Sequence, residues 1–195
     1  MRRAFLALAL LTAASARAET QTLAEGQMIR GHFTQERHLQ GFANPVKSEG
    51  HFLLAPGKGL LWVAEQPFAV TTAITADGLT QSMEGRQTAK FDSQRLPVLS
   101  RLYATIGGAL SGKWSALDAD FSVRRDGNRV VLTPLRADTT GMALKKITLT
   151  LSRFVDEVEL ERPNGDSDHI VFSGQTLSSG PLSSEEASAL GQPHP

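Results

Sequence analysis

The 195 residues carry 20 basic and 20 acidic side chains, five histidines and no cysteine, and 41% of them are hydrophobic. A chain with no basic excess or basic cluster is not built for a bulk-charge role on nucleic acid or on an anionic membrane, and without cysteine it has no disulfide framework. It is long enough to be held by its own core.

The first 18 residues read as a cleaved secretory signal. Arg2 and Arg3 make a basic start, Ala4 to Ala14 is apolar but for Thr12, and Ala16-Arg17-Ala18 places small residues where a signal peptidase reads. The apolar run is too short to span a bilayer. Arg2-Arg3 before Phe5-Leu6 is similar to a twin-arginine signal, but the usual preceding Ser or Thr is missing. Cutting after Ala18 removes three arginines and leaves 177 residues with 17 basic against 20 acidic side chains. The expectation is a soluble, mildly acidic protein, with the periplasm of a Gram-negative bacterium as its simplest compartment.

Residues 20–27 form a candidate short helix that Gly26 ends early. From Met28 onward strand signals dominate: 29–38, 47–54, 60–64, 69–75, 79–83 and 86–91. Their separators are turn chemistry: Asn44-Pro45, Pro56-Gly57-Lys58-Gly59, Gln66-Pro67, Asp77-Gly78 and Glu84-Gly85. The period then changes. Leu96, Leu99, Leu102, Tyr103, Ile106 and Leu110 recur at spacings of three and four, the apolar stripe of a helix. Trp114 and Leu117 mark a second, shorter helical piece. Strands resume at 121–124, 129–133, 144–151, 155–161 and 169–172, with hairpin turns at Asp126-Gly127-Asn128 and Asn164-Gly165. Ser183 and Glu186 form a capping box before Ala187, Ala189 and Leu190. The pattern predicts a mainly β chain with helices (α+β): a single domain over 19–195, whose antiparallel meander must curl to close its core, with 175–195 as a short tail carrying a small helix.

The stretch around Phe52-Leu53-Leu54 and Leu60-Leu61-Trp62-Val63 is apolar in succession, so both faces of these strands avoid water. The chain supplies no strand-helix alternation that would cover two faces, which leaves the second covering to be found.

No nucleophile elbow, metalloprotease helix or phosphate-binding glycine loop is present. His32, Glu36 and His38 share a parity on one strand, a pattern open to a metal or base as well as to a solvated face. Asp166-Ser167-Asp168-His169 falls where turns collect Asp and Ser. Neither pattern fixes a catalytic group, so an enzyme is not expected and no metal or cofactor is assigned. The larger signal is apolar. Phe33, Phe52, Leu54, Leu61, Val63, Phe68, Val70 and Ile74 can share one sheet face, and Leu99, Leu102, Tyr103 and Ile106 on the helix stripe need a partner. Sheet and helix either fill each other or enclose a cavity for a lipid; composition does not separate the two.

The order of motifs resembles the periplasmic outer-membrane lipoprotein carrier family, the LolA-like proteins. Phe33-Thr34-Gln35, the hairpin to Gly50, Pro56 with Trp62, Gln66-Pro67 and Asp77-Gly78 are similar to its first half. The stripe at 96–110, Trp114, the Asp126-Gly127-Asn128 hairpin into Val131-Leu132-Thr133-Pro134 and three closing strands match its second. The resemblance covers residues 20–174 and implies a half-open curled antiparallel β-barrel with a helical lid over an apolar cavity. The twelve apolar residues named above are then the expected cavity and lid residues. A monomeric carrier would take the acyl chains of lipoproteins or another lipid from an inner-membrane release complex or exporter to an outer-membrane acceptor. A lipid sensor of the same fold, or a carrier for one glycolipid or lipid-linked pigment, is the alternative. Two departures stand out: Ala55 precedes Pro56 where the family places an arginine, and the tail after Phe172 is short, without the extra closing strand. On this reading one face of the 52–54 and 60–63 strands looks into the cavity, and neighbouring turns or terminal segments cover the other.

Overall fold

The computed structural model describes residues 23–24, 26–93, 107–108, 117–136 and 144–192. The expected signal (1–18), residues 20–22 and 25 of the first short helix, the lid residues Leu99, Leu102, Tyr103 and Ile106, and Trp114 lie outside the described residues, and Leu23, Ala24, Gly26 and Gln27 are not helical. Gly107 and Gly108 of the 96–110 stripe are described and helical. Among the described residues no helix is long and apolar enough to cross a membrane.

Among the described residues, eleven strands form one open, curled antiparallel sheet: β1 (Gln27–His38), β2 (Val46–Ala55), β3 (Gly59–Gln66), β4 (Val70–Thr75), β5 (Gly78–Met83), β6 (Arg86–Asp92), β7 (Phe121–Asp126), β8 (Arg129–Pro134), β9 (Lys146–Leu151), β10 (Val155–Glu161) and β11 (Ser167–Ser179). The sheet order is β6-β5-β4-β3-β2-β1-β11-β10-β9-β8-β7. Two meanders of sequence neighbours are therefore joined by one non-local pair, β1 with β11, and β6 and β7 form the two edges.

Each strand expected from the sequence is present, and β11 runs further than expected. It continues past Phe172 to Ser179, and among the described residues a helix and no further strand follows it. The polar stretch Ser173-Gly174-Gln175-Thr176 hides it from a hydrophobic pattern. Gly174 takes φ 58° beside a register shift between Arg30 and His32, and beyond it Leu177 pairs with Ile29. A bulge of this kind adds a residue without ending the ladder.

The sheet buries both faces, but unequally. Its inner face carries the main core: Ile29, Phe33, Phe52, Leu54, Leu60, Ile74, Val130, Leu132, Leu149, Val155 and Phe172, joined by Leu23, Leu117 and Phe154 from outside the strands. Gly31 lies between Ile29 and Phe33 on this face, and a Cβ there would come within 2.8 Å of the Phe52 ring, so the absence of a side chain lets that ring lie across β1. The outer face carries a second, smaller buried cluster formed by Met28, Leu53, Ala55, Leu61 and Ala73 with Val63 at its margin.

The C-terminal helix α1 (Ser184–Ala189) covers that patch with Leu182, Ala187 and Leu190. This is the second covering that the doubly apolar β2 and β3 require, and a terminal segment supplies it. Six residues are too few for a helix to persist alone. Here Ser183 accepts from the Glu186 N–H and Glu186 accepts from the Ser183 N–H at 2.8 Å, completing the expected capping box. Arg30 on β1 then donates from Nε and Nη2 to the two Glu186 oxygens, both at 2.8 Å, and also donates to Ser178 Oγ. The Arg30 hydrogen bonds hold the Glu186 carboxyl below its ordinary value, against the opposing push of burial. Ala55 sits in the same buried patch. A long charged side chain at that position has no room while the helix is docked.

Candidate functional site

Cross-strand register places the inner-face side chains of β1 to β6 in rows. One row runs Ile29, Leu54, Leu60, Ile74, Leu79, Phe91; the next runs Phe52, Trp62, Thr72, Gln81, Ala89; a third runs Phe33, Gly50, Ala64, Val70, Met83. Along the first row exposure climbs steadily. Ile29 and Leu54 are 1% exposed, Leu60 3%, Ile74 6%, Leu79 is half-buried and Phe91 is 46% exposed. In the third row Met83 at the far end is 42% exposed. The inner face thus passes from a closed core at β1 and β2 to an apolar floor at β3 to β6 that is only half covered.

Aromatic rings form the boundary. Trp62 stacks on Phe33 with ring centroids 3.7 Å apart and meets Phe172 edge-on at 6.0 Å, and Phe172 meets Phe52 edge-on at 5.0 Å. Such geometries add to what area burial alone supplies. Trp62 is itself half-buried, so one side of the cluster belongs to the core and the other to the open floor. By register, Arg86 at the β5-β6 hairpin end is the one charged residue on the inner side of β3 to β6 among the described residues, and it lies near Glu84 at 3.9 Å.

Of the expected cavity residues, Phe33, Phe52, Leu54 and Ile74 lie on the inner face and are buried, and Val70 shares that face half-buried. Leu61 and Val63 do not share it. The Pro56-Gly57-Lys58 turn pairs Ala55 with Gly59, which fixes Phe52 opposite Trp62 and Leu53 opposite Leu61. Leu61 and Val63 therefore fall on the outer face beneath the C-terminal helix. Phe68 also leaves the set, because β3 ends at Gln66 and the ring stands exposed in the connection to β4. The open-floor residues that the sequence reading missed are Trp62, Leu79, Met83 and Phe91. Continuing the hairpin register outward from Phe52 would have found them.

The described grooves have other chemistry. One of about 680 Å³ is lined by Thr34, Glu36, Lys47, Glu49, Gln66 and His169 among others, and a smaller one of about 270 Å³ by residues including Arg30, His32, His51 and Glu186. An enclosed apolar cavity is not among them. His32, Glu36 and His38 do share the outer face, but Lys47 Nζ takes Glu36 at 2.6 Å and lowers its carboxyl, while His38 stands 3.8 Å away. Among the described residues no three His, Asp or Glu side chains come together to hold a metal.

Asp168, which the sequence placed in a turn, is instead fully buried within β11. Arg37 Nε and Gln35 Nε2 each donate to its Oδ1 at 2.7 Å, and Arg162 Nη2 lies 2.5 Å from Oδ2. Burial pushes this carboxyl up, and the bonds from Arg37, Arg162 and Gln35 more than reverse it, so the group stays ionised. The cluster ties β1 to β11 at the junction of the two meanders.

A family model described as "Outer membrane lipoprotein carrier protein LolA-like" matches residues 11–183. No curated protein matches the sequence. Among solved structures the chain is similar to a LolA superfamily protein from Nitrosomonas europaea, with 10% identity over 85% of this chain and 92% of that one at a TM-score of 0.46. It is also similar to a putative outer membrane lipoprotein-sorting protein domain from Vibrio parahaemolyticus, with 10% identity over 88% and 94% at 0.43. The MucA/MucB complex of Pseudomonas aeruginosa aligns at 13% identity over 82% and 54%, with a TM-score of 0.36.

Proposed function

The chain belongs to the LolA-like family of outer membrane lipoprotein carrier proteins, and from that premise we propose that it is a periplasmic lipid carrier whose half-covered inner face shields the acyl chains of a lipoprotein or another lipid. The observation that supports this reading is the apolar floor of β3 to β6, where exposure rises from buried Leu60 to open Phe91 along one row of side chains. Exposed single hydrophobic residues are ordinary, but a continuous apolar row that opens toward a sheet edge offers a surface for hydrocarbon. The carrier works by binding alone, with no covalent step.

The energetics require such a surface. An acyl chain in water costs about 0.8 kcal/mol per methylene, on the order of 10 kcal/mol for a palmitoyl-sized chain, which no lipid crosses unaided at a useful rate. Laying the chain on Trp62, Val70, Leu79, Met83 and Phe91 removes much of that cost. A floor that leaves part of the cargo uncovered also limits the affinity. Handover then needs only an outer-membrane acceptor that binds the chain better. The helical stripe at 96–110, by its sequence, is the element that would complete the cover as a lid, and an inner-membrane release complex or exporter would be the donor.

The test is mass spectrometry on an organic extract of the mature protein, purified without detergent from its own periplasm. A stoichiometric amphiphile is expected and would name the cargo. An empty extract together with failure to bind a fluorescent fatty acid would overturn the carrier reading.

A further inference from the structure

The half-open floor is interrupted at its centre. Thr72 and Gln81 are direct cross-strand partners, both half-buried, between Trp62 on one side and Ala89 on the other. The rows above and below them are apolar: Ile74, Leu79 and Phe91 on one flank, Val70 and Met83 on the other. Gln81 Nε2 donates to Thr72 Oγ1 at 3.4 Å, near the outer limit of a hydrogen bond. Among the described residues this is the one contact between side chains of the pair and their neighbours, and it leaves the Thr72 hydroxyl proton, the second Gln81 side-chain N–H and the Gln81 side-chain carbonyl oxygen to other partners. An uncharged pair with both donor and acceptor capacity thus sits in the middle of a hydrocarbon-like surface.

We infer that the bound ligand carries an uncharged hydrogen-bonding group, an ester, amide or hydroxyl, set within its hydrocarbon, and that Thr72 and Gln81 receive it. The inference rests on the carrier reading and refines its cargo class. A plain hydrocarbon laid across the floor strips water from both side chains and returns no bond, which costs affinity. An ester or amide carbonyl accepts from the Thr72 hydroxyl or the Gln81 N–H, and a hydroxyl or amide N–H donates to the Gln81 carbonyl. A carboxylate or phosphate finds no cation beside the pair among the described residues of β3 to β6, where Arg86 lies at the hairpin end beside Met83 and close to Glu84. Threonine and glutamine also suit an ordinary wet strand, and the ligand comparison separates that role from recognition.

The experiment uses the mature full chain with an uncharged probe, the methyl ester of a fluorescent fatty acid, displaced by three competitors of similar length: octyl decanoate with its ester in mid-chain, the corresponding linear alkane, and stearate. The expected result is that the ester displaces the probe at roughly tenfold lower concentration than the alkane, the size of one net hydrogen bond. Replacing Thr72→Val and Gln81→Leu together should abolish that difference and leave the alkane as good or better. Equal displacement by ester and alkane from the unsubstituted protein would overturn this inference and leave the carrier reading standing. Failure of the probe to bind at all would overturn both. The comparison on the unsubstituted protein decides the matter even where the double variant folds poorly.

Discussion

The two halves of the inner face follow the same alternation of side chains and end in different states. Across β8 to β11 and on to β1 and β2, Val130, Leu132, Leu149, Val155, Phe172, Phe33 and Phe52 are all buried. Across β3 to β6 the same face opens row by row until Phe91 and Met83 stand more than two-fifths exposed. The closed half holds the sheet together, and the open half has apolar surface left to offer. A carrier needs both kinds, because a face that filled itself throughout would have nowhere to put a guest.

The sharpest way to break the comparison is to cut the closed half. Phe33→Ala removes a fully buried ring that stacks on Trp62. It should cost about 3–5 kcal/mol in chemical denaturation. Phe91→Ala in the open half should cost less than about 1 kcal/mol by the same measurement. Equal losses at the two positions would show that the halves do not differ.

Outer-face residues sharpen it next. Leu61 and Trp62 are sequence neighbours on opposite faces, and only Trp62 reaches the candidate floor. Leu61→Asp places a carboxylate under the C-terminal helix and should cost about 2–4 kcal/mol, with loss of amide protection over 184–189. Lipid binding by the folded fraction should persist. Loss of binding without loss of helix protection would return Leu61 to the site.

The positions where sequence reasoning succeeded and failed follow the same division. The strands and nearly all their boundaries were legible because Gly, Pro, Asn and Asp mark each turn of two nearest-neighbour meanders, whereas the β1–β11 pair that joins them has no local signal. The capping box was legible because Ser183 and Glu186 satisfy each other locally. Face assignment failed at Leu61 and Val63, since in a doubly apolar strand hydrophobicity does not say which side is in, and only the Ala55-Gly59 pairing does. Asp168 was hidden for a different reason. Its partners Arg37 and Arg162 come from β1 and from the chain just beyond β10, and no local pattern announces that a turn-like Asp will be buried between them. Leu79, Met83 and Phe91 lie in strands whose alternation with polar residues resembles any half-exposed edge. Their common face emerges only once four strands are in register.

Acid should act on the outer-face contact between Glu186 and Arg30. Glu186 titrates below the ordinary carboxylate value because Arg30 bonds to its ionised form. A lowered folded value means that the stabilisation is complete above the unfolded value, about 4.3, and is lost as pH falls through the folded one. Glu186→Gln should cost about 1–2 kcal/mol at neutral pH, with the partial exposure of both groups taken into account, and should flatten stability against pH in that acid window. An unchanged acid limb, followed by circular dichroism, would show that the Arg30 contact is idle.

The smallest expected change in stability is the most informative for function. Phe91 ends the open row on the edge strand β6, where its ring keeps nearly half its surface in water. Phe91→Glu should shift the unfolding free energy by no more than about 0.5 kcal/mol, since a charge at an exposed edge stays hydrated. The same carboxylate under an acyl chain would be stripped of water, and among the described inner-side residues of β3 to β6 the one cation, Arg86, lies at the opposite end of β6. Affinity for a fluorescent fatty acid should therefore fall at least about tenfold while the melting curve barely moves. A protein whose Phe91→Glu variant melts normally and binds as before takes its ligand somewhere other than this floor. A variant that melts normally and fails to bind shows that the surface left open by folding is the surface that binds the lipid.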